Sequence, residues 1–492
     1  MEGLISGFAN LIAPDMIGLM FFGVIVGIIF GAIPGLSATM AIVLFLPVTF
    51  SLNVYQAFTL LVALYIGGVP GGLISAILIN IPGSAMSIAT CYDGHPMAKS
   101  GHAKRALGIG IVYSFFGTIL SLAVMIVAAP SLASFAVKLG PYEFFALTLF
   151  AVVLVCTVSG DIFRAVAAAF IGLAFCMVGI APVDGAYRYT FGITNLMNGI
   201  ALTPAVIGMF ATTEILLNAV KPIGKRKEER HSVERIRGFG FTIKEMIGQT
   251  KNFLLSSIIG LFIGFLSGMG GSLANQVAYG AVKKASKHPE KFGTGIMDGI
   301  VASESSNNAS IGGSMIPLLA LGIPGDGPTA MLLGAFTIHG LVAGPLLFRS
   351  NAELVNLIFA AMILCSFIML FVEFFGIRVF AKIIEVPREM LYPVILAICV
   401  VAAFANNRTM FDVWTLLFCG FVGFMMSKFK HPRSCFVLGL VLGTNIETNL
   451  RRALQLSRGS FVPFFTRPIS CLLLLLTFGL IIGAVWKQVK RR

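Results

Sequence analysis

The residues of this sequence that could do chemistry are polar groups set among apolar neighbours. The longest such stretch is Ser303-Glu304-Ser305-Ser306-Asn307-Asn308-Ala309-Ser310-Ile311-Gly312-Gly313-Ser314, which lies between apolar runs. An ionisable side chain at membrane depth is a functional candidate by default, because an idle charge there is too costly to keep. Glu304 is that side chain, and Asn307, Asn308, Ser305 and Ser306 add neutral oxygens and N–H donors. The set can hold Na⁺ with the help of backbone carbonyls, hydrogen-bond a carboxylate, or carry a proton on Glu304. The competing reading makes Glu304 part of a helix cap after Lys291. Asp326 follows Gly322-Ile323-Pro324-Gly325 and suits either a cation site or a helix N-cap.

Four Gly/Pro breaks interrupt apolar stretches, at 31–39 (GAIPGLSAT), 80–85 (NIPGSA), 267–275 (SGMGGSLAN) and 322–327 (GIPGDG). Proline has no N–H and glycine costs backbone order, so helices end there. Irregular backbone at membrane depth is tolerated only inside protein or along a water-filled cavity. A helix restarting after a break points free N–H groups and a positive dipole end into that space, which suits a carboxylate. The candidate substrate-binding residues are Pro34, Gly35, Ser37, Thr39, Pro82, Gly83, Ser84, Ser272, Asn275, Pro324, Gly325 and Thr329; the candidate coupling-ion residues are Glu304, Asn307, Asn308 and Asp326. The plain alternative is a set of kinked helices packed through small residues. His339 reads as a packed, hydrogen-bonded histidine, Asp93 and His95 as a turn, and Glu214 as interfacial.

The elements that position these groups must be helices in a bilayer. Of 492 residues 57% are hydrophobic and 11% charged, against about 25% charged in a soluble domain. Lipid is therefore the outer solvent. Several runs reach the roughly 20 apolar residues that span a hydrocarbon core. The eight cysteines are scattered, most of them in apolar runs, with no metal or disulfide spacing. The first residues, Met1-Glu2-Gly3-Leu4, lack a basic n-region and read as part of the membrane protein rather than a removed signal. The net charge of +14 does not imply nucleic acid, because basic residues cluster in short loops as the positive-inside rule predicts.

Those clusters fix an orientation. Lys99, Lys104 and Arg105, the stretch 221–251, Lys283 to Lys291, and Lys428 to Arg433 mark cytoplasmic loops, whereas 51–55 and 140–142 face outward. Five spans then precede 221–251 and five follow the hairpin at 252–282. Each set is led by a hairpin broken by glycine, at 17–50 and 252–282, entering from opposite sides. The expected fold is an all-α polytopic membrane protein with about 10–12 transmembrane helices, re-entrant or broken helices, and an inverted repeat of two halves. Residues 1–220 form the first repeat, 221–251 a basic linker, 252–450 the second repeat, and 451–492 a C-terminal segment with the last helix. Arg451, Arg452, Arg458 and Arg467 oppose Lys487 to Arg492 across that helix, so either 451–467 is outside for a functional reason or 434–449 re-enters.

No Walker A, HExxH, GxSxG or Cys/His cluster occurs, and no filter-like repeat, so ATP hydrolysis, membrane hydrolysis and channel function find no support. No catalytic residue, cofactor or metal is assigned, and the chain does not read as an enzyme. The stretches GAIPGLSATMAIVLFLPVTF, YIGGVPGGLISAILINIPGSAMSIATCYDGHPMAKSGHAKRAL and SKHPEKFGTGIMDGIVASESSNNASIGGSMIPLLALGIPG, with PAVIGMFATTEILL and LRRALQLSRGSFVPFFTRPIS, resemble the large membrane subunit of the tripartite tricarboxylate transporter family (TctA-like). The resemblance covers nearly the whole chain. It implies a secondary importer of tri- or dicarboxylates in a bacterial inner membrane, driven by H⁺ or Na⁺. It further implies a small four-helix membrane subunit and a periplasmic solute-binding protein as partners; a homo-oligomer stays open. The family usually has small Ser, Ala or Thr residues after GIPG, where this chain has Asp326-Gly327-Pro328, so other organic acids fit as well as citrate. The alternative is a non-transporting scaffold or sensor related to the same family.

Overall fold

The computed structural model describes residues 2–159, 161–219, 240–266, 270–383 and 388–490. Most of the basic stretch 221–251, the start of the break at 267–275, and Arg491 and Arg492 lie outside the described residues.

The described chain is helical nearly throughout, with one short antiparallel ribbon pairing Gly179–Ile180 with Tyr187–Arg188. In chain order the helices are α1 (Glu2–Leu11), α2 (Pro14–Ala32), α3 (Ala38–Phe45), α4 (Val54–Gly68), α5 (Gly72–Ile79), α6 (Thr90–Met97), α7 (Ala103–Ala136), α8 (Pro141–Val158), α9 (Ile162–Cys176), α10 (Leu202–Ile207) and α11 (Thr213–Ala219). They continue as α12 (Ile243–Gly248), α13 (Thr250–Phe265), α14 (Gly270–Ala285), α15 (Met297–Leu321), α16 (Gly327–Ile338), α17 (Leu347–Ser350), α18 (Ala352–Ile383), α19 (Arg388–Asn407), α20 (Met410–Lys428), α21 (Arg433–Leu456), α22 (Val462–Thr466) and α23 (Pro468–Val489). Among the described residues seven helical segments are long and apolar enough to cross a membrane. Shorter apolar helices accompany them, including α8, α9 and α13. The chain is an all-α polytopic membrane protein.

Two compact units divide it: Met1–Ser131 with Lys221–Val394, and Leu132–Val220 with Ile395–Arg492. Each unit takes one stretch from each half of the sequence.

The first unit contains all four breaks. Its helices approach closely because glycine faces backbone at the crossings, the usual solution where lipid supplies no hydrophobic drive. On α2 and α4, a β-carbon at Gly67 would strike the carbonyl of Val24, and one at Gly27 would sit 2.5 Å from that of Leu64. The crossing of α13 with α15 is built alike: β-carbons at Gly260 and Gly264 would strike the carbonyls of Ser306 and Ser310. From α7, Gly117 lies against the Ser305 carbonyl and Ser121 against Gly312. Helix α15 is thus enclosed, and every residue from Gly299 to Ala320 is buried. At 25 residues it is long enough to span, roughly 37 Å, but it can be polar because protein rather than lipid surrounds it.

The breaks end helices for local reasons. After α2 the chain turns through Pro34 and through Gly35, whose φ of 94° is open to glycine, and Ser37 then caps α3 by accepting the Met40 N–H (3.3 Å). With eight residues, α3 covers about 12 Å, far short of the roughly 30 Å hydrocarbon core. Likewise α15 stops at Gly322 (φ 71°), where Asp326 caps α16.

In the second unit α21 is one continuous helix of 24 residues, so 434–449 does not turn back. Its basic end is met by carboxylates. Arg188 grips Glu447 with two hydrogen bonds (2.6 and 3.0 Å), and Arg451 reaches Asp184 (2.6 Å) and Glu447 (2.8 Å). Arg467 contacts Glu143 (3.3 Å) and lies over the Tyr142 ring. That places Arg467 beside 140–142, the segment expected to face outward. On α23, Leu472, Leu475, Phe478 and Ile482 are exposed, an apolar face that suits lipid.

Candidate functional site

The four breaks converge in the first unit in a paired arrangement. The Gly35 N–H donates to the Gly83 carbonyl (3.3 Å), tying the first break to the first Pro-Gly loop. In the second half, Gly270 abuts Asp326, and Gly325 abuts Ser314 and the Gly264 carbonyl, so the second break touches the second loop. The halves also cross. A β-carbon at Gly327, opening α16, would sit 2.7 Å from Thr39 Oγ1 on α3. On the other side, the Asn275 side-chain amide of α14 donates to the Met86 carbonyl just after Ser84. Each broken hairpin therefore packs against its own loop and against the segment that follows the opposite loop.

The candidate residues differ in what they have left to offer. Ser37 and Ser84 are half-buried caps, Ser84 accepting from the Met86 N–H (3.2 Å), and Gly35, Ser272 and Gly327 are half-buried beside them. Pro34, Thr39, Gly83, Pro324 and Gly325 are buried and Pro82 half-buried, forming the frame. Thr329 is fully engaged with Asp326: its N–H and hydroxyl donate to Asp326 Oδ1 (2.9 and 2.7 Å), and its hydroxyl accepts the Asp326 N–H (2.8 Å). Tyr65 of α4 donates to Asp326 Oδ2 (2.6 Å). Asp326 is thus a helix cap joined to a tyrosine of the first half. His339 lies 3.1 Å from the Thr49 hydroxyl, with which it packs.

Glu304 sits in mid-helix, fully buried, not in a cap. The Thr90 hydroxyl of α6 donates to Oε1, and the Ser114 hydroxyl of α7 donates to Oε2 (3.0 Å). Asn308, one turn on, donates to Ser114 Oγ (2.8 Å). Residues four apart share a helix face, so Glu304 and Asn308 form one cluster towards α6 and α7. Asn307 points elsewhere, at Gly271 of α14, where a β-carbon would strike its Oδ1. The structure therefore brings Glu304 and Asn308 together, places Asn307 on the hairpin side, and holds Asp326 with Tyr65.

Buried polar atoms nearly always find a partner, so those that do not mark where something is missing. Among the described residues, Asn307 Nδ2 and Oδ1, Asn308 Oδ1, Asn275 Oδ1, Ser305 Oγ and Ser87 Oγ are buried without one. They lie on α15, on α14 and on the turn after Ser84. Such a set of amide and hydroxyl groups can hydrogen-bond a carboxylate or supply oxygens to a cation.

Four contributors escaped the sequence reading. Thr90 and Ser114 are hydroxyls in apolar helices, with no local pattern to distinguish them. Asp93, read as a turn residue, is fully buried and accepts the N–H groups of Gly293 (2.9 Å), Gly295 (2.9 Å) and Ile296 (3.1 Å) and the Tyr279 hydroxyl (2.8 Å). It locks the first half to the loop between α14 and α15. Glu373, a carboxyl in the apolar run of α18, is the fourth, and there the sequence carried a signal: an acid inside a span.

The chain is similar to known proteins over its whole length. A protein of Agrobacterium vitis described as "Uncharacterized 52.8 kDa protein in TAR-I ttuC' 3'region" is 32% identical over 492 residues, covering 100% of this chain and 97% of that protein. A second from the same organism, "Uncharacterized protein in TAR-II ttuC' 3'region", is 33% identical over 233 residues, 47% of this chain and 96% of its own length. No solved structure is detectably similar. Residues 17–438, from the first hairpin into α21, match the Tripartite tricarboxylate transporter TctA family, and the chain belongs to that family.

Proposed function

We propose that this chain is the translocating subunit of a secondary active importer of tri- and dicarboxylates. The observation that carries the reading is the convergence of four helix breaks on buried amides and hydroxyls without partners, on α14, on α15 and after Ser84. The carboxylate is held there by Asn307, Asn275, Ser87 and the helix starts at Ser37 and Gly270, where free N–H groups favour anions. Glu304, with Thr90, Ser114 and Asn308, carries the coupling ion, H⁺ or Na⁺. The paired contacts of the two halves favour an inverted repeat, and one hairpin pair moves against the rest to alternate access. Membership of the family favours a bacterial inner membrane and two partners, a small four-helix membrane subunit and a periplasmic binding protein.

The test is uptake of labelled citrate, succinate and lactate by cells expressing this chain with both partners, against cells lacking only this chain. Uptake that requires the chain and collapses with a protonophore or a sodium ionophore supports the reading and names the ion. Absence of uptake, with the protein in the membrane and both partners bound, replaces it with a non-transporting scaffold.

A further inference from the structure

Glu373 lies within the candidate span Ala352–Phe380 of α18. It has no solvent exposure, and neither carboxyl oxygen has a hydrogen-bond partner among the described residues. Helix α7 links it to Glu304 of α15: Ser114 donates to Glu304, and the adjacent Phe115 packs on Phe367 of α18. The contrast between the two is chemical. Glu304 accepts from two hydroxyls, as an ionised carboxylate requires, whereas Glu373 has no donor at all.

The surroundings offer no counter-charge. Facing α18 are α1, α2, α4 and α5; α1 and α5 carry no basic residue, Asp15 of α2 bonds Gln56, and Tyr55 and Tyr65 of α4 bond Glu353 and Asp326, while on α7 Tyr113 bonds the Met246 carbonyl. Phe115 of α7 packs on Phe367 of α18 at 5.0 Å between ring centres, so that side is aromatic. On α17 and α18 themselves, Arg349, Arg378 and Lys382 are exposed, and Cys365 is buried. No ion pair to Glu304 or Glu373 occurs among the described residues. Two buried carboxylates without a cation cannot both stay ionised, because neither desolvation nor mutual repulsion is offset. A hard cation would need several oxygen ligands, and neither oxygen of Glu373 has a hydrogen-bonding neighbour among the described residues. A proton needs none.

We propose that Glu373 is a proton-loading site coupled to Glu304, which deepens the transport reading and rests on it for its role in the cycle. The pair holds one proton, on Glu373, with a net charge of −1 on Glu304. Binding of a second proton at Glu304 neutralises the pair; its release restores the charge. Asn307 sits three residues from Glu304 on the same buried helix, so this change of charge acts on the helix that carries the unpartnered amides.

The experiment is infrared spectroscopy of the purified full chain in liposomes over a pH series in H₂O and D₂O, for wild type, Glu373→Gln, Glu373→Leu and Glu304→Gln. The expected result is a protonated-carboxyl C=O band in wild type that both Glu373 variants lose. Glu304→Gln retains the band but changes the pH at which it disappears, because interacting acids titrate as a pair. The leucine variant adds no polar group and serves if the glutamine variant does not fold. A wild-type spectrum without the band, or one unchanged in the Glu373 variants, overturns the proposal. With labelled citrate and succinate and an imposed pH gradient, driven uptake falls at least about tenfold in the Glu373 variants; unchanged driven uptake overturns the coupling. If wild type moves no carboxylate, the transport reading fails, while the infrared series still decides whether Glu373 holds the proton.

Discussion

Leucine has the branched outline of asparagine without its polar atoms, so Asn307→Leu separates packing from ligand binding at one position. In the protein as described, Asn307 is fully buried and both its amide nitrogen and its oxygen lack partners. A buried polar group left unsatisfied costs about 1–3 kcal/mol, and leucine removes that cost while gaining a few tenths of a kcal/mol in helix propensity, about 0.5. Against this stands the contact with Gly271, where a methyl is bulkier than the amide oxygen and loses about 1 kcal/mol. The net is a stabilisation of about 0.5–2.5 kcal/mol. Ligand binding moves the other way: loss of a hydrogen bond to a charged ligand costs about 1.5–3 kcal/mol, or roughly ten- to hundredfold in affinity. The assay pairs the thermal unfolding midpoint of the purified protein with uptake of labelled citrate and succinate by cells carrying the partners. A higher midpoint with weaker uptake is the signature of a binding residue that is idle without its ligand. A lower midpoint would show that Asn307 has a structural partner, and unchanged uptake would remove it from the site; either result refutes the reasoning.

Three further outcomes follow from the geometry. Gly260→Val should cut the yield of monodisperse protein sharply on size-exclusion chromatography, because its β-carbon meets the Ser306 backbone and overpacking costs about 1–3 kcal/mol or more. Gly280→Val on α14, with nothing within 4 Å of its β-carbon, is the control, and an equal loss there would discredit the close-packing account. Asp93→Ala should destabilise by about 3–5 kcal/mol through its orphaned N–H groups, whereas Tyr279→Phe loses a single hydrogen bond to the carboxylate, about 1.5–3 kcal/mol; equal thermal midpoints would contradict that order. On α12, the Thr242 backbone N–H, the Arg105 guanidinium and the Thr242 hydroxyl hold the Glu245 carboxyl down at about 2, from an ordinary 4.5. Its folded value lies below its unfolded one, so its contribution is present above about 4.5 and lost as pH falls towards 2. Limited proteolysis of 240–250 should therefore be the same at neutral pH and at about pH 5, and faster in Glu245→Gln; faster digestion of wild type at the lower pH would count against the contact.

Much of the candidate site is legible in the sequence, because the signals are local. Gly35 and Gly322 end helices through their own backbone freedom, and a run such as 303–314 is conspicuous against apolar flanks. Glu373 is equally legible, as an acid inside an apolar run. The assignment of Asp326 was a different matter. Its sequence context suited a cation site and a cap equally, and only the placement of Thr329 and Tyr65 shows it capping α16.

Composition by itself determined that lipid is the solvent, with 57% hydrophobic and 11% charged residues, and apolar runs of about 20 residues, rather than the shorter alternating strands of a barrel, determined that the chain is helical. The Gly/Pro positions determined where helices break. Which polar groups share a cluster was decided only by tertiary structure: Thr90 and Ser114 with Glu304, Asn275 with Met86, Tyr65 with Asp326. The partners in that last pair are 261 residues apart, and such pairs leave no period or motif in the chain, because they depend on how separate helices cross. The same holds for Asn307 and Asn308: adjacent in sequence, they point to different neighbours because a helix turns about 100° per residue.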